Sequence, residues 1–575
     1  MLTKLTIRNF KRFEDVVIEL ASPVVFVGPN NCGKTTALQA LALWDLGLKH
    51  WQQRKGARST ARTVREGTAL NRLDLIPLPV PDLRLLWHDT RVSQGYKESG
   101  RQKTRWIYID LVMEGTGAAQ NWACGMHFYW ANEEALYCRP FDPNAQDDAS
   151  VQIPDSALNT RVVFLHPMSG MAQNEPKWEP GRVNVLIGEG QTAQVLRNLC
   201  HQVVGGPDGE SKWNMLRDRM EYLFGDRLKK PKLDLGRGEI QMSYTTPGGV
   251  ELDISASGRG FQQALLLMAF MSANPNSVVL LDEPDAHLEF LRQREIYSEL
   301  TSAASSLNNQ LVIASHSEVL LNEAADRDVV VAFVGRPHRI DDRGSQLLKS
   351  LKAIGYDQYL QAEQTGWVLY VEGSTDLAIL QALARVMNHE AQRVLERPFV
   401  HYVGNQPTKA LDHFFGLKEA KNDLCGYALF DRLGSLPSSG RGLQTRMWSK
   451  CEIENYLCQR DTILCWTRVE AANREIGPLF ADHWIRAMEE SIQEIEESLK
   501  TLGRPSPWSD DLKVTDDFLD PLFRNFYGRL SLPNEMLKRD YHELAKHVNA
   551  QSLHADVRLV LDEICDVART ANPTR

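Results

Sequence analysis

The stretch Val24-Val25-Phe26-Val27-Gly28-Pro29-Asn30-Asn31-Cys32-Gly33-Lys34-Thr35-Thr36 constrains this chain most, because an apolar, β-branched run stops at a glycine and a helical pattern starts after Gly-Lys-Thr. Glycines at these positions let a loop curl so that its backbone N–H groups point inward at an anion. A lysine at this spacing reaches the β and γ phosphates of a nucleotide, and the Thr35 hydroxyl is placed to ligate Mg²⁺. The pattern predicts a strand, then a phosphate loop carrying Asn30, Asn31, Gly33, Lys34, Thr35 and Thr36, then a helix over residues 36–44 whose dipole adds to the anion site. An ordinary glycine-rich turn has no need for all of these residues at once.

A chain of 575 residues exceeds what one core supports, so two or three domains are expected. No run of about 18 apolar residues exists to span a membrane. The N-terminal MLTKLTIRNFKRF alternates apolar and charged residues, unlike a signal peptide, and a cytoplasmic location without membrane partners is expected. Nine cysteines without a Cys-x-x-Cys pair give no zinc or disulfide framework, and Cys451, Cys458 and Cys465 read as core residues. A net charge of −9 argues against a uniformly basic nucleic-acid coat and leaves room for a local basic groove.

Residues 2–9 and 15–20 alternate as two strands that lead, antiparallel, into the sheet of the phosphate loop. Arg54, Lys55, Arg58, Arg62 and Arg65 follow, a basic stretch that fits a solvated loop and a nucleic-acid contact equally well. Strand patterns at 106–113, 126–130, 135–138 and 162–165 make the next region a β-rich lobe. Between about 191 and 235 the period becomes helical, with Val195, Leu196, Leu199, Val203 and then Met215, Met220 and Leu223 on apolar faces. These two helices, split by a glycine-rich turn over 205–209, suit a lid or a subunit contact. The absence of a long heptad run excludes coiled-coil arms.

A second half-site follows. A hairpin around Thr246-Pro247-Gly248-Gly249 precedes Ser255-Ala256-Ser257-Gly258-Arg259-Gly260, which opens the apolar helix at 264–271. A buried-strand pattern then ends in Asp282-Glu283-Pro284, where Asp282 can hold Mg²⁺ through water and Glu283 can polarise the attacking water. A further helix and strand end in Ser315-His316-Ser317, which puts His316 where it can read the γ-phosphate charge. Taken in this order, phosphate loop, SASGRG, LLDEPDAHL and ASHS resemble an ABC-type ATPase of the RecF and SMC kind. That resemblance implies ATP sandwiched between two chains, with Ser257 and Gly258 serving the partner's nucleotide. The usual Leu-Ser-Gly-Gly-Gln signature is loosened here.

Beyond a polar bridge at 344–366 a new α/β pattern begins. A strand ends in Glu372-Gly373-Ser374-Thr375-Asp376, a second in Gly404-Asn405 and a third in Asp431. Carboxylates at strand ends beside a tight turn are a metal-ready arrangement. The order resembles a TOPRIM domain, and an ABC-type ATPase followed by TOPRIM resembles the OLD-family nucleases over nearly the whole chain. The usual Asp-x-Asp is here Asp431-Arg432-Leu433, without its second carboxylate. Glu452 and Glu454 are candidate replacements, sharing one face if their segment is extended, or else a helix-start acidic pair. Lys538 falls where the family carries a late lysine near the metals. Residues 474–502 read as an acidic amphipathic helix on the outside of this domain.

The expected fold is α/β: an ABC-type ATPase domain with a β-rich lobe and helical insertion over 1–343, a linker over 344–366, and a TOPRIM α/β domain with C-terminal helical elements over 367–575. The resemblance implies an ATP-dependent or ATP-regulated DNA endonuclease of bacterial anti-phage defence. ATP and Mg²⁺ are its cofactors, Mn²⁺ being an alternative in the TOPRIM site. Thr35 and Asp282 would ligate the first metal; Glu372, Asp376, Asp431, Glu452 and Glu454 would ligate the others, as a clamp of two ions about 4 Å apart. DNA, a homodimer or higher oligomer formed through the ATPase, and an accessory defence protein are the implied partners. A topoisomerase-like enzyme and an ATP-gated DNA clamp or toxin scaffold with a degenerate TOPRIM domain are the alternatives.

Overall fold

The computed structural model describes every residue except 56–66, 99–100, 118–119, 145–152, 326, 341–353, 437–439, 474–477, 552 and 575. Arg58, Arg62, Arg65, Arg474 and the first ten residues of the expected linker therefore lie outside the described residues. The chain divides into two compact units, Met1–Leu348 and Lys349–Arg575.

In the first unit the unbroken apolar runs become strands covered on both faces, which is what such runs require. Val24–Val27, Val278–Asp282 and Gln310–Ser315 are buried at every residue. They lie within a six-stranded sheet ordered Val162–Leu165, Val278–Asp282, Gln310–Ser315, Val24–Val27, Val329–Ala332 and His338–Arg339, parallel except for the last pair. Residues 162–165 thus belong to the nucleotide sheet and not to the β-rich lobe, because Val162 to Leu165 pair in parallel register with Val278 to Leu281.

The alternating strands form a separate antiparallel sheet, ordered Phe13–Glu19, Leu2–Phe10, Ile109–Thr116, Asn121–Trp130, Ala135–Phe141 and Thr68–Asn71. The N-terminal pair therefore does not extend the nucleotide sheet, as its sequence position suggested. One face of the pair is apolar and must be buried, and Leu2, Leu5, Ile7 and Phe10 enter a core shared with the helix Lys34–Lys55 and with the nucleotide sheet. The helix runs well past residue 44 because Ala37, Leu38, Leu41, Trp44 and Leu48 keep one stripe buried. Gln310 ties the two sheets together: its Oε1 accepts the Leu2 N–H at 2.7 Å and its Nε2 donates to Leu2 O at 2.7 Å.

The helices Leu196–Gly205 and Gly209–Phe224 fall inside the expected insertion and pack against the helix Arg259–Ala273. Leu196, Leu199, Val203, Met220 and Leu223 are buried, whereas Met215 is exposed, and Arg227–Leu228 and Lys232–Asp234 are short strands rather than helix. The hairpin Ser243–Thr245 and Glu251–Asp253 leads directly into the 255–260 loop.

The second unit is built on a four-stranded parallel sheet ordered Val400–Tyr402, Trp367–Val371, Cys425–Phe430 and Leu443–Met447. The helix Tyr356–Thr365, expected as part of a linker, packs on Trp367–Val371 and on the helix Pro407–Ala420 and so belongs to this unit. The acidic helix Pro478–Thr501 is not a surface addition either. Trp484, Met488, Ile492 and Leu499 sit in one core with Leu522, Phe523 and Phe526, since its apolar stripe needs a partner. Among the described residues no helix is long and apolar enough to cross a membrane.

Candidate functional site

In the first unit the register brings the sequence motifs to one edge. Val27 pairs with Ser315 and Asp282 with Ala314, so the loop after Val27, the Asp282-Glu283 pair and His316 all leave the carboxyl ends of neighbouring parallel strands. Ligands bind at this edge of open α/β sheets. Gly33 holds φ +110°, and a Cβ there would lie 2.5 Å from the Phe13 ring, so both backbone and space call for glycine. Asn30 and Asn31 are exposed on the loop, Asn31 at φ +62°, and Thr36 is half-buried behind it.

Lys34 is buried and donates from Nζ to Gly28 O at 2.6 Å and to Pro29 O at 3.0 Å. Thr35 Oγ1 donates to Asp282 Oδ2 at 2.9 Å, which brings together the two oxygen groups expected to face Mg²⁺. Burial pushes the Asp282 carboxyl up to about 6, against the hydrogen bond from Thr35. A hydroxyl and a desolvated carboxylate form a hard-oxygen set that fits Mg²⁺. His316 Nδ1 stands 3.5 Å from Glu283 Oε1, both groups partly exposed, so the expected sensor and the expected base face each other.

Sequence reasoning missed the supports behind these groups. Ser315 Oγ donates to buried Asp285 at 2.7 Å and accepts the Ser317 N–H at 2.9 Å, which fixes the turn that carries His316. The 255–258 loop has its own brace. Asp253 Oδ1 accepts the N–H and Oγ–H of Ser255, and Arg197, buried on the insertion helix, donates to the same oxygen at 2.9 Å. Ser257 Oγ donates to Ile254 O at 2.7 Å, and Gly258 begins the following helix with open space where a Cβ would be. Asp285 lies inside the acidic string LLDEPDAHL, where a local signal was available; nothing local marks Arg197.

In the second unit Glu372 and Asp431 leave the carboxyl ends of adjacent parallel strands, Trp367–Val371 and Cys425–Phe430. Asp376, in the first turn of Ser374–Val386, bends back so that Oδ2 accepts the Glu372 N–H at 2.9 Å and the Gly373 N–H at 3.4 Å. It shapes the turn that presents Glu372. Asn405 supports the other side, its Oδ1 accepting the Asp431 N–H at 3.1 Å. Burial, followed by the charges of Glu372 and Asp376, pushes the Asp431 carboxyl up to about 9. Burial and the Glu372 charge raise Asp376 to about 6.

The segment holding Glu452 and Glu454 is not extended. Ile453–Tyr456 is a 3-10 turn capped by Glu452, whose N–H is accepted by Asn455 Oδ1 at 3.0 Å. Both glutamates are nonetheless 2% exposed, and they differ in partners. Glu452 Oε1 accepts the Thr515 N–H. Glu454 Oε1 is buried without a hydrogen-bond partner, and burial together with the Glu452 charge raises its carboxyl to about 7. Lys538 is exposed at the start of the 3-10 stretch Lys538–His547; its partial desolvation is outweighed by the charges of Glu454 and Glu372, which raise its pKa.

Glu372, Asp376, Asp431 and Glu454 thus act on one another electrostatically, with Lys538 as a cation beside them. Among the described residues no three carboxylates are drawn into a preformed coordination cluster. Five buried or half-buried carboxyl groups with one orphaned oxygen are a donor set of hard oxygens, which fits Mg²⁺ or Mn²⁺ and would not suit a soft metal. Leu433 adds no donor.

Two family models match parts of the chain: "AAA ATPase domain" over residues 1–45, and "AAA domain, putative AbiEii toxin, Type IV TA system" over residues 188–322. The first covers the phosphate loop, and the second covers the insertion helices, the 255–258 loop, Asp282, Glu283 and His316. Both matches are to ATPase-domain models and fall in the first unit; domains of that kind bind ATP, typically with Mg²⁺. No curated protein sequence matches the chain. Solved structures similar to it include an SMC head domain from Thermotoga maritima, at 14% identity and TM-score 0.32 over 59% of this chain and 98% of that one. Another is an Smc head domain with an extended coiled coil bound to the C-terminal domain of ScpA derived from Pyrococcus furiosus, at 13% identity and TM-score 0.33 over 59% and 96%.

Proposed function

We propose that the chain is an ATP-regulated, Mg²⁺-dependent DNA endonuclease of the OLD type, with an ABC-type ATPase unit followed by a TOPRIM nuclease unit. The observation that carries this reading is the carboxylate group of the second unit, in which Glu372 and Asp431 leave neighbouring strand ends, the charge of Glu454 acts on Asp431, and Glu454 Oε1 is buried without a hydrogen-bond partner. Desolvated carboxylates that act on one another repel, and a proton or a cation compensates. Mg²⁺ held there would supply the charge that activates water and steadies the leaving oxygen. Glu372, Asp431 and Glu454 would hold it, Asp376 and Asn405 would orient the two strand-end carboxylates, Glu452 would anchor the turn, and Lys538 would meet the scissile phosphate.

In the ATPase unit Lys34 and the loop N–H groups would bind the phosphates, with Thr35 and Asp282 at the metal and Glu283 orienting the attacking water. Ser257 and Gly258 would face the nucleotide of a second copy, which makes a homodimer the working unit. The experiment is cleavage of supercoiled plasmid in Mg²⁺ by the full chain and by Asp431→Asn. Metal-dependent linear or open-circular product from the wild type alone supports the reading; relaxed topoisomers or intact plasmid overturn it.

A second reading rests on the match of residues 188–322 to the AbiEii-type model. On this reading the chain is an ATP-binding toxin of a toxin–antitoxin pair. Growth arrest that persists in Asp431→Asn and disappears in Lys34→Ala favours it.

A further inference from the structure

Segment 91–108 carries five basic residues and one acidic residue in a chain whose net charge is −9. Its two strands, Ser93–Glu98 and Arg101–Trp106, pair with each other and form a two-stranded sheet of their own. Isolated hairpins are marginal in water, and this one is exposed along both strands from Ser93 to Lys97 and from Gln102 to Trp106. A ribbon with no core of its own is retained for what it presents.

The register decides what that is. Tyr96 lies opposite Lys103 and Gln94 opposite Arg105, so one face combines an aromatic ring with two cations two residues apart on one strand. Successive side chains on such a face are about 6.8 Å apart, a spacing that follows the phosphates of an extended nucleic-acid strand. Trp106 shares the other face with Lys97. Large apolar surface is normally hidden, yet Tyr96 is 43% exposed, Trp106 47% and Tyr108 37%. The rings are also supported: Trp106 leans on Trp130 with centroids 6.2 Å apart, and Tyr108 meets Tyr129 edge-on at 5.9 Å.

The ribbon is fixed at its base. Ile107 N–H donates to Val92 O at 3.0 Å, and Trp87 Nε1 donates to Ile107 O at 2.8 Å. His88 Nδ1 bonds Lys11 O at 2.9 Å, in the turn whose Phe13 lies against Gly33 of the phosphate loop. A groove of about 830 Å³ opens at this base, lined in part by Arg91, Arg105, Trp106 and Tyr108 and, on its wall, by the carboxylates Glu14 and Asp110.

We infer that this ribbon and its groove are a DNA-contacting surface of the ATPase unit, with Lys97, Lys103 and Arg105 on the phosphates and Tyr96, Trp106 and Tyr108 as stacking platforms for bases. Cations give strength and salt dependence, and exposed rings give sequence-tolerant stacking. Only the choice of DNA, rather than another polyanion, rests on the reading of the chain as a DNA-cleaving enzyme.

The test is fluorescence anisotropy of full-length protein with labelled single-stranded and duplex oligonucleotides over a range of salt. It uses the wild type, Lys103→Glu/Arg105→Glu and Tyr96→Ala/Trp106→Ala. Both ribbon variants should lose at least about tenfold in affinity, the charge variant with a shallower salt slope, while melting temperature and ATP turnover without DNA stay at wild-type values. Binding is measured in chelator, without metal at the carboxylate site, and cleavage is scored separately in Mg²⁺, so loss of cleavage and loss of this surface are read apart. Wild-type affinity and salt slope in both ribbon variants overturn the inference. So does a fall in sedimentation coefficient in those variants with DNA affinity unchanged, because a second copy of the chain would then be the occupant.

Discussion

Glu452 and Glu454 stand two residues apart at equal burial and have opposite hydrogen-bonding roles: Glu452 accepts the backbone N–H of Thr515, and Glu454 Oε1 is enclosed without a donor. An unsatisfied buried carboxylate oxygen costs about 1–3 kcal/mol unless something outside the chain uses it.

The pair should therefore separate on mutation. Glu454→Gln should lower plasmid cleavage on the order of a hundredfold or more and leave the melting temperature unchanged or raised. Glu452→Ala should strand the Thr515 N–H and cost about 1–3 kcal/mol in a denaturant titration. Wild-type cleavage in Glu454→Gln, with folding intact, would remove Glu454 from the metal site.

In the ATPase unit Lys34→Ala should abolish binding of a fluorescent ATP analogue. Glu283→Gln should keep it and lose turnover, because the amide occupies the same place without polarising water. Equal nucleotide affinity in Lys34→Ala and wild type would contradict the phosphate-loop assignment.

Mixed subunits test the shared nucleotide. Ser257 is half-buried, so an arginine there can reach solvent, and within its own chain it loses the hydrogen bond to Ile254 O. Combining Lys34→Ala with Ser257→Arg protomers should restore about one intact site per dimer. Confirmed heterodimers without ATPase activity would indicate a site completed within one chain.

The carboxylate group also predicts a pH dependence. Asp431 is raised to about 9 by burial and by Glu372, from an ordinary 3.8, so the folded chain holds a proton that the unfolded chain has released. That contribution is complete below about pH 4 and is lost as pH rises through about 9. In chelator, melting temperature should fall between about pH 6 and pH 9, and less so in Asp431→Asn. Mg²⁺ competes with the proton, so it should restore more stability at the upper end. Identical pH slopes for both proteins would argue against a raised Asp431 carboxyl.

The order of motifs was legible in the sequence because each is a local event. A buried apolar run forms a parallel strand, a glycine or carboxylate at its end marks the turn, and parallel register carries those ends to one edge. That is why Lys34, Thr35, Asp282 and His316 assemble in the first unit, and Glu372 and Asp431 in the second. What the sequence misplaced depends on long-range pairing. Residues 2–20 alternate like a strand pair of any sheet, and the partner that claimed Leu2–Phe10 was Ile109–Thr116, about a hundred residues on. Arg197 became the brace of the 255–258 loop because two helices split by glycines fold onto Arg259–Ala273, and no spacing encodes that contact. Glu452 and Glu454 are alike in residue type and exposure. Their roles diverge because a backbone N–H 63 residues away reaches Glu452 while Glu454 Oε1 has no donor, and hydrogen bonding at that separation is decided by tertiary packing alone.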